Sequence, residues 1–284
     1  SMQANNITRV MGIINGTTNY ILTQMTEAGQ SFEDALADAQ KLGYAEANPT
    51  ADVEGFDAMY KLSILSSMAF HAHMPIEVIY REGITKLTKA DFETAQLLGY
   101  KIKLLAIGKK NGNRIEVRVH PTMLPATHPL ASVRGVFNAI FLTGHAVDDI
   151  MLYGRGAGCM PTASAVVSDI VYACHAEKRH QYMTFQNDES MSSEIELVKD
   201  FSCIYSVRLR VADLPGTMAA IAGSFAEHGV SLKSVIQLGE TDGVSSRITF
   251  LTHRASEFGV REALKRIEAL DCVNAVESVI RVEE

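Results

Sequence analysis

The acids Glu46, Asp52 and Asp57 and the lysine Lys61 crowd one short stretch of the chain, from Leu42-Gly-Tyr-Ala-Glu46 through Asn48-Pro-Thr to Asp52 and Phe56-Asp-Ala-Met-Tyr-Lys61. Carboxylates hold an ammonium group and a lysine moves a proton, so the set suits a small zwitterionic substrate. Asp57 and Lys61 stand at i, i+4, where helical side chains meet. Taken alone, that pair reads as a surface ion bridge of little energetic weight. Leu65 and Met68 continue its stripe, which predicts a pair at the edge of the core. Gly43, Pro49 and Gly55 shape the turns around it.

Two further segments join strand-like to helix-like sequence. Arg9-Val-Met-Gly-Ile-Ile14 runs into Asn15-Gly-Thr-Thr-Asn-Tyr20, which makes Asn15 a candidate helix cap. Gly154-Arg-Gly-Ala-Gly158-Cys-Met-Pro-Thr162 has the look of a dinucleotide fingerprint and fails as one. Cys159 replaces the third glycine, and no βαβ unit surrounds it. By spacing alone it is a tight turn.

The elements that must position these residues are legible from periodicity and breakers. A helix over 15–28 stops at Gly29, and a second begins at Ser31 and ends at Gly43. A long helix is predicted from 52 to 71, then a helix over 89–98, strands over 102–108, 114–121, 135–143 and 146–153, and a helix over 162–177. Gly112 and Gly144 mark turns between antiparallel neighbours. The result is an α+β domain over 1–178, a mixed β-sheet covered by helices. Residues 179–202 are polar and aperiodic, so they read as a linker. From 203 to 284 the order is βαββαβ, the ferredoxin-like arrangement. Tyr205–Val211 alternates strictly, Met218, Ile221, Ala222 and Phe225 share one helix face, and a Gly-rich turn precedes Ser245.

Composition excludes several functions. A length of 284 residues, 47% hydrophobic and 21% charged, describes a globular chain of one or two domains. A net charge of -7 without a basic stripe argues against nucleic acid. No apolar run reaches membrane-spanning length. Cys159, Cys174, Cys203 and Cys272 are scattered, which fits buried thiols in a reducing cytoplasm and neither a disulfide framework nor a zinc site. No metal site is expected. Ser1-Met2 reads as a remnant ahead of the chain proper.

Over residues 5–282 the chain resembles homoserine dehydrogenases. The Gly43-Tyr44-x-Glu46 turn matches the family's substrate turn, so the resemblance makes Glu46 the contact to the substrate ammonium, with Tyr44 and Thr17 beside it. Asp52 and Asp57 match the acids that hold the amino acid, and Lys61 matches the catalytic acid/base. Asn15 and Gly16 match a helix N-terminus that approaches substrate and nicotinamide. Gly156 and Gly158 match a loop that lies against the nicotinamide end of the cofactor. The family places Asp where Asn48 stands, from which a local turn effect is expected. The implied activity interconverts L-homoserine and L-aspartate 4-semialdehyde by NAD(P)-dependent hydride transfer. The family's Rossmann domain is not found in these residues. They are therefore expected to form the substrate-binding and regulatory portion of a longer polypeptide, inactive alone and assembling as a homodimer or homotetramer.

The Asp213-x-Pro215-Gly216 turn within the βαββαβ unit resembles an ACT domain. Taken alone, Pro215 and Gly216 merely suit helix entry. The resemblance implies an amino-acid effector, with threonine the leading candidate, held by Asp213, Pro215, Gly216 and Gln237. A competing reading makes the whole chain a non-enzymatic amino-acid sensor whose front domain only dimerises. Intact Glu46, Asp57 and Lys61 speak against it.

Overall fold

A strand apolar on both faces belongs in the middle of a sheet, and β1 (Ile7–Ile13) is such a strand, with Val10, Met11 and Ile13 buried. It runs antiparallel between β3 (Tyr100–Asn111) and β5 (Phe137–Gly144). β4 (Arg114–Pro125) neighbours β3 across the Gly112 turn, and β6 (Asp148–Arg155) pairs antiparallel with β5, giving the order β6-β5-β1-β3-β4. The short strands β2 (Tyr80–Arg81) and β7 (Glu196–Leu197) join β4 in parallel, so the sheet is mixed as expected.

The computed structural model describes residue 2 and residues 4–175, 195–238 and 245–284. They form two units. The first runs to Lys199 without Leu97–Tyr100 and Thr122–Pro125, and the second takes those two segments with Asp200–Glu284. Of the segment read as a linker, 179–194 lies outside the described residues. Beyond it Glu196 and Leu197 pair with Arg114 and Ile115 in the first unit.

In the first unit α1 (Gly16–Glu27) is capped by Asn15, and α2 (Phe32–Lys41) by Ser31. Ile21, Leu22 and Met25 of α1 are fully buried. The single helix expected over 52–71 is two. α3 (Thr50–Val53) stops, and Gly55, at φ 78°, opens α4 (Phe56–Phe70). Only glycine takes that φ cheaply, and a Cβ there would stand 3.3 Å from the Glu82 carbonyl oxygen. Apolar spacing continues across the break, which hid it from the periodicity. A second correction concerns the stripe below Lys61. Met68 is 56% exposed, and Ala58, Met59, Leu62, Ser66 and Phe70 form the buried face instead. α5 (Lys89–Leu97) matches its prediction, whereas α6 (Cys159–His175) begins three residues early and runs to the edge of the described residues. Its side chains are exposed almost throughout, so Cys159 and Cys174 are not the buried thiols expected, though Cys203 is. No helix among the described residues is long and apolar enough to cross a membrane.

The second unit has the predicted βαββαβ order. β8 (Ser202–Ala212), α7 (Thr217–Glu227), β9 (Leu232–Leu238), β10 (Ser245–Thr252), α8 (Glu257–Glu268) and β12 (Val273–Val282) give a sheet ordered β12-β8-β10-β9, with the two-residue β11 (Ala255–Ser256) on β8. The Gly-rich turn before Ser245 lies outside the described residues. Val207, Leu209, Val211 and Phe250 of the sheet and Ile221 and Phe225 of α7 are all buried, and the Phe225 and Phe250 rings lie 5.5 Å apart. Met218, expected on the same face, stands partly exposed at the start of α7.

Among the described residues of this unit, Glu257 and Arg281 form a buried ion pair. Glu257 accepts from Arg281 Nη2 at 2.6 Å and Nε at 2.9 Å, and from the Tyr205 hydroxyl at 2.8 Å. Burial pushes its carboxyl up, but the bonds and charge of Arg281, with those of Tyr205 and Arg261, hold it below the ordinary carboxylate range. Such a group stabilises the fold at neutral pH and loses that contribution as pH falls through its folded-state pKa. Glu257→Gln should strand the Arg281 charge and cost about 3–5 kcal/mol, read from urea or thermal unfolding. An unchanged midpoint would show that the pair contributes nothing.

Candidate functional site

The chemistry of the first unit gathers at the start of α1. The Asn15 Oδ1 caps the helix, accepting from the Thr18 amide at 2.8 Å and its hydroxyl at 2.9 Å. The other end of the same carboxamide, Nδ2, donates to Asp52 Oδ1 at 2.7 Å and to Asp57 Oδ2 at 2.8 Å. Lys61 Nζ donates to Asp57 Oδ2 at 2.7 Å and to the Ile14 carbonyl at 3.2 Å. Asp52, Asn15, Asp57 and Lys61 are thus one continuous network drawn from α3, α4 and the β1–α1 junction. Two carboxylates against one ammonium leave the cluster a net negative charge, which favours a cationic ligand group. The Lys61 side chain is 48% exposed and Asp57 31%, so both are reachable from solvent.

The break at Gly55 serves this geometry, since it lets Asp52 and Asp57 leave different helices and meet one amide. The end of β2 and the segment after it buttress it. Ile84 N donates to the Val53 carbonyl at 2.8 Å, Arg81 donates to the Glu54 carbonyl, and Arg81 lies 3.7 Å over the Phe56 ring. Asn48 Oδ1 takes the Thr50 amide at 3.2 Å and hydroxyl at 2.7 Å, a local turn as expected of it.

The other predicted residues divide. Thr17 Oγ1 donates to the Tyr44 carbonyl at 2.6 Å, and the Tyr44 ring lies 5.0 Å from that of Tyr20, so the 43–46 turn sits beside the start of α1. Glu46 is exposed. Its carbonyl accepts from Gln40, while its carboxylate makes no hydrogen bond or ion pair among the described residues. Gly16 and Gly156 both face the carboxamide of Asn138: a Cβ at Gly156 would fall 1.9 Å from Asn138 Nδ2, and one at Gly16 would fall 3.7 Å from its Oδ1. Gly158 stands at φ 122° just before α6. In the second unit Asp213, Pro215 and Gly216 form an exposed turn, with Gly216 at φ 94° ahead of α7. Gln237 donates to Ser246 Oγ at 2.7 Å, and no hydrogen bond among the described residues joins it to that turn.

Sequence reasoning missed Asn19, Lys103 and Asn138. Lys103, 4% exposed on β3, donates to Asn19 Oδ1 at 3.1 Å and to the Val133 carbonyl. Asn19 Nδ2 in turn donates to the carbonyls of Gly135 at 2.9 Å and Phe137 at 3.0 Å. This clamps the entry to β5 against α1, one turn from Asn15. The signal was present, a lone lysine inside the apolar run Ile102-Lys-Leu-Leu-Ala-Ile107. Burial, with the nearby Lys101 charge, lowers its pKa to about 8.

Comparison with known proteins bears on both units. The homoserine dehydrogenase family profile matches residues 1–171, and the ACT-domain profile matches 205–272. The chain is 42% identical to the homoserine dehydrogenase of Neisseria gonorrhoeae, over 99% of its own length and 66% of that protein's. It is 43% identical to that of Mycobacterium tuberculosis, over 100% and 66%. It therefore spans just under two thirds of these relatives. A crystal structure of a homoserine dehydrogenase from Thiobacillus denitrificans superposes with a TM-score of 0.91 at 41% identity, covering 100% of this chain and 65% of that one. The S. aureus homoserine dehydrogenase at pH 7.5 gives 0.73 at 32%, covering 98% and 65%.

The buried lysine makes a pH prediction. Its folded pKa near 8 lies below the ordinary 10.5, so between those values the unfolded chain binds more protons and stability should rise with pH. The rise should be on the order of 3 kcal/mol in the wild type and missing from Lys103→Met, read from urea unfolding across that range. Parallel curves would rule out a buried ammonium.

Proposed function

Because the chain belongs to the homoserine dehydrogenase family, we propose that its first unit is the substrate half of an enzyme that interconverts L-homoserine and L-aspartate 4-semialdehyde with NAD(P). The observation that carries this reading is the Asp52–Asn15–Asp57–Lys61 network. Its negative balance, together with the Glu46 carboxylate, which has no partner among the described residues, suits the substrate ammonium. The free N–H of Thr17 at the start of α1 suits the substrate carboxylate. Lys61, held by Asp57 and the Ile14 carbonyl, is proposed as the acid/base: as the neutral amine it takes the proton from the substrate hydroxyl as that becomes a carbonyl, and as the ammonium it returns the proton in reverse.

The nicotinamide, when bound, accepts or returns the hydride. The residues present fit it: Asn138 packs directly against the Cα of Gly156, and its Oδ1 is buried without a hydrogen-bond partner among the described residues. The Gly16 N–H, at the first position of α1, has no partner within the helix. A hyperthermophilic archaeal homoserine dehydrogenase mutant has been solved with NADPH, at 31% identity and a TM-score of 0.53. These 284 residues contain no strand–GxGxxG–helix unit to take the pyrophosphate, so the isolated chain is proposed not to turn over. On α6 and β6 the exposed Leu152, Tyr153, Val166, Val167, Ile170 and Val171 form apolar surface that supports burial against a second copy or a further domain.

The second unit is proposed as the regulatory module, binding an amino acid, with threonine first, at the Asp213–Gly216 turn. Gln237 does not reach that turn within one copy, which favours a site shared between two. Threonine should bind the whole polypeptide in calorimetry and bind more weakly to Asp213→Ala. No heat with threonine or related amino acids would leave the unit a structural module.

Lys61→Ala in the whole polypeptide should lower kcat by roughly 10²–10⁴-fold, the range of an acid/base group. A wild-type kcat in a folded variant would remove Lys61 from the chemistry.

A further inference from the structure

Asn138 occupies a position that neither the network around Lys61 nor the packing of the sheet accounts for. It stands on β5 directly opposite Gly154 of β6. Its carboxamide fills the space between the glycine loop and the first turn of α1, so close to Gly156 that an added Cβ would fall 2.7 Å from its Cγ. No side chain larger than hydrogen is compatible with Asn138 lying there. Its Oδ1 is buried and has no hydrogen-bond partner among the described residues. Folded proteins seldom leave such an acceptor unpaired, because the water it gave up is not replaced. An orphan acceptor thus faces α1, where Asn15 satisfies the Thr18 amide and leaves the Gly16 N–H without a partner in the helix.

An acceptor on one side and a donor on the other are the complement of a primary carboxamide, which offers both an N–H and a carbonyl oxygen. We propose that Asn138 is a specificity-determining residue for the cofactor, its Oδ1 accepting a hydrogen bond from the carboxamide N–H of bound nicotinamide while Gly16 N–H donates to the carboxamide oxygen. The last side-chain torsion of asparagine is soft, and Asn138 has no side-chain hydrogen bond among the described residues to break when it turns toward a ligand. This inference rests on the reading of the 156–158 loop as the nicotinamide end.

The test is cofactor affinity, measured by fluorescence or calorimetric titration of the whole polypeptide. The probes are the natural dinucleotide, its 3-acetylpyridine analogue, which lacks the carboxamide N–H, and ADP-ribose, which lacks the ring. Wild type should prefer the natural dinucleotide over the analogue by roughly five- to tenfold, the weight of one neutral hydrogen bond. Asn138→Ala should lose that preference and bind the analogue and ADP-ribose as wild type does. Asn138→Leu should do the same with the space kept filled, and Asn138→Asp, still an acceptor, should retain the preference. Unchanged ADP-ribose affinity shows each variant to be folded. An equal preference in wild type, Asn138→Ala and Asn138→Leu overturns the role of Asn138 alone. A wild type that binds ADP-ribose but gains nothing from the nicotinamide ring overturns the reading of the loop itself.

Discussion

The first unit turns on one carboxamide. Asn15 is the cap of α1 and, at its other end, the donor that lets Asp52 and Asp57 lie side by side. Two carboxylates at such a distance repel unless positive charge or hydrogen-bond donors lie between them. Here an amide supplies two N–H groups and Lys61 supplies the charge. The cap and the cluster cannot be separated: the same rotamer that ends the helix aims Nδ2 at the acids. This ties the chemistry to backbone geometry, since the cap holds only while β1 delivers Asn15 in an extended conformation, φ −129° and ψ 113°.

Everything around that carboxamide limits how far α1 can move. Lys103 and Asn19 bind the carbonyls of Val133, Gly135 and Phe137, fastening the helix to the start of β5 from beneath. Thr23 adds a bond from the Gly135 amide at 3.1 Å. A lysine buried without an ion pair to a carboxylate among the described residues is an expensive clamp, and the same burial lowers its pKa. Above, Asn138 of β5 lies between Gly16 and Gly156, so the same strand borders both glycines. Rigid placement of this kind is what positioning in catalysis requires.

The second unit solves a different problem. Its sheet carries a ferredoxin-like order with an apolar face under α7 and α8, and a buried ion pair where Glu257 meets Arg281 and Tyr205. Satisfied from several directions, that carboxylate is a structural group and not a site. The functional candidates lie instead on the exposed turn ahead of α7, where Gly216 takes a left-handed φ and Thr217 Oγ1 closes back on the Ala212 carbonyl at 3.1 Å.

Much of this was legible in the residues. Caps such as Asn15 and Ser31, stops such as Gly29, the alternation of β8 and the order of the second unit are local signals, set by side chains acting within a few positions of themselves. The convergence of Asp57 with Lys61 is local too, because a helix dictates it. Other features were not local. Apolar spacing ran unbroken through Gly55, and only the Glu82 carbonyl packed against it marks that glycine as a break. Met68 looked like core by its place on the stripe, and it faces solvent because α4 meets β1 and its neighbours along a different side. The meeting of Asn15 with Asp52 and Asp57, the burial of Lys103, and the unpaired oxygen of Asn138 all join residues distant in the chain. Such partners are chosen by which strands pair and in which register, and that choice is made by the packed whole and not by any segment of it.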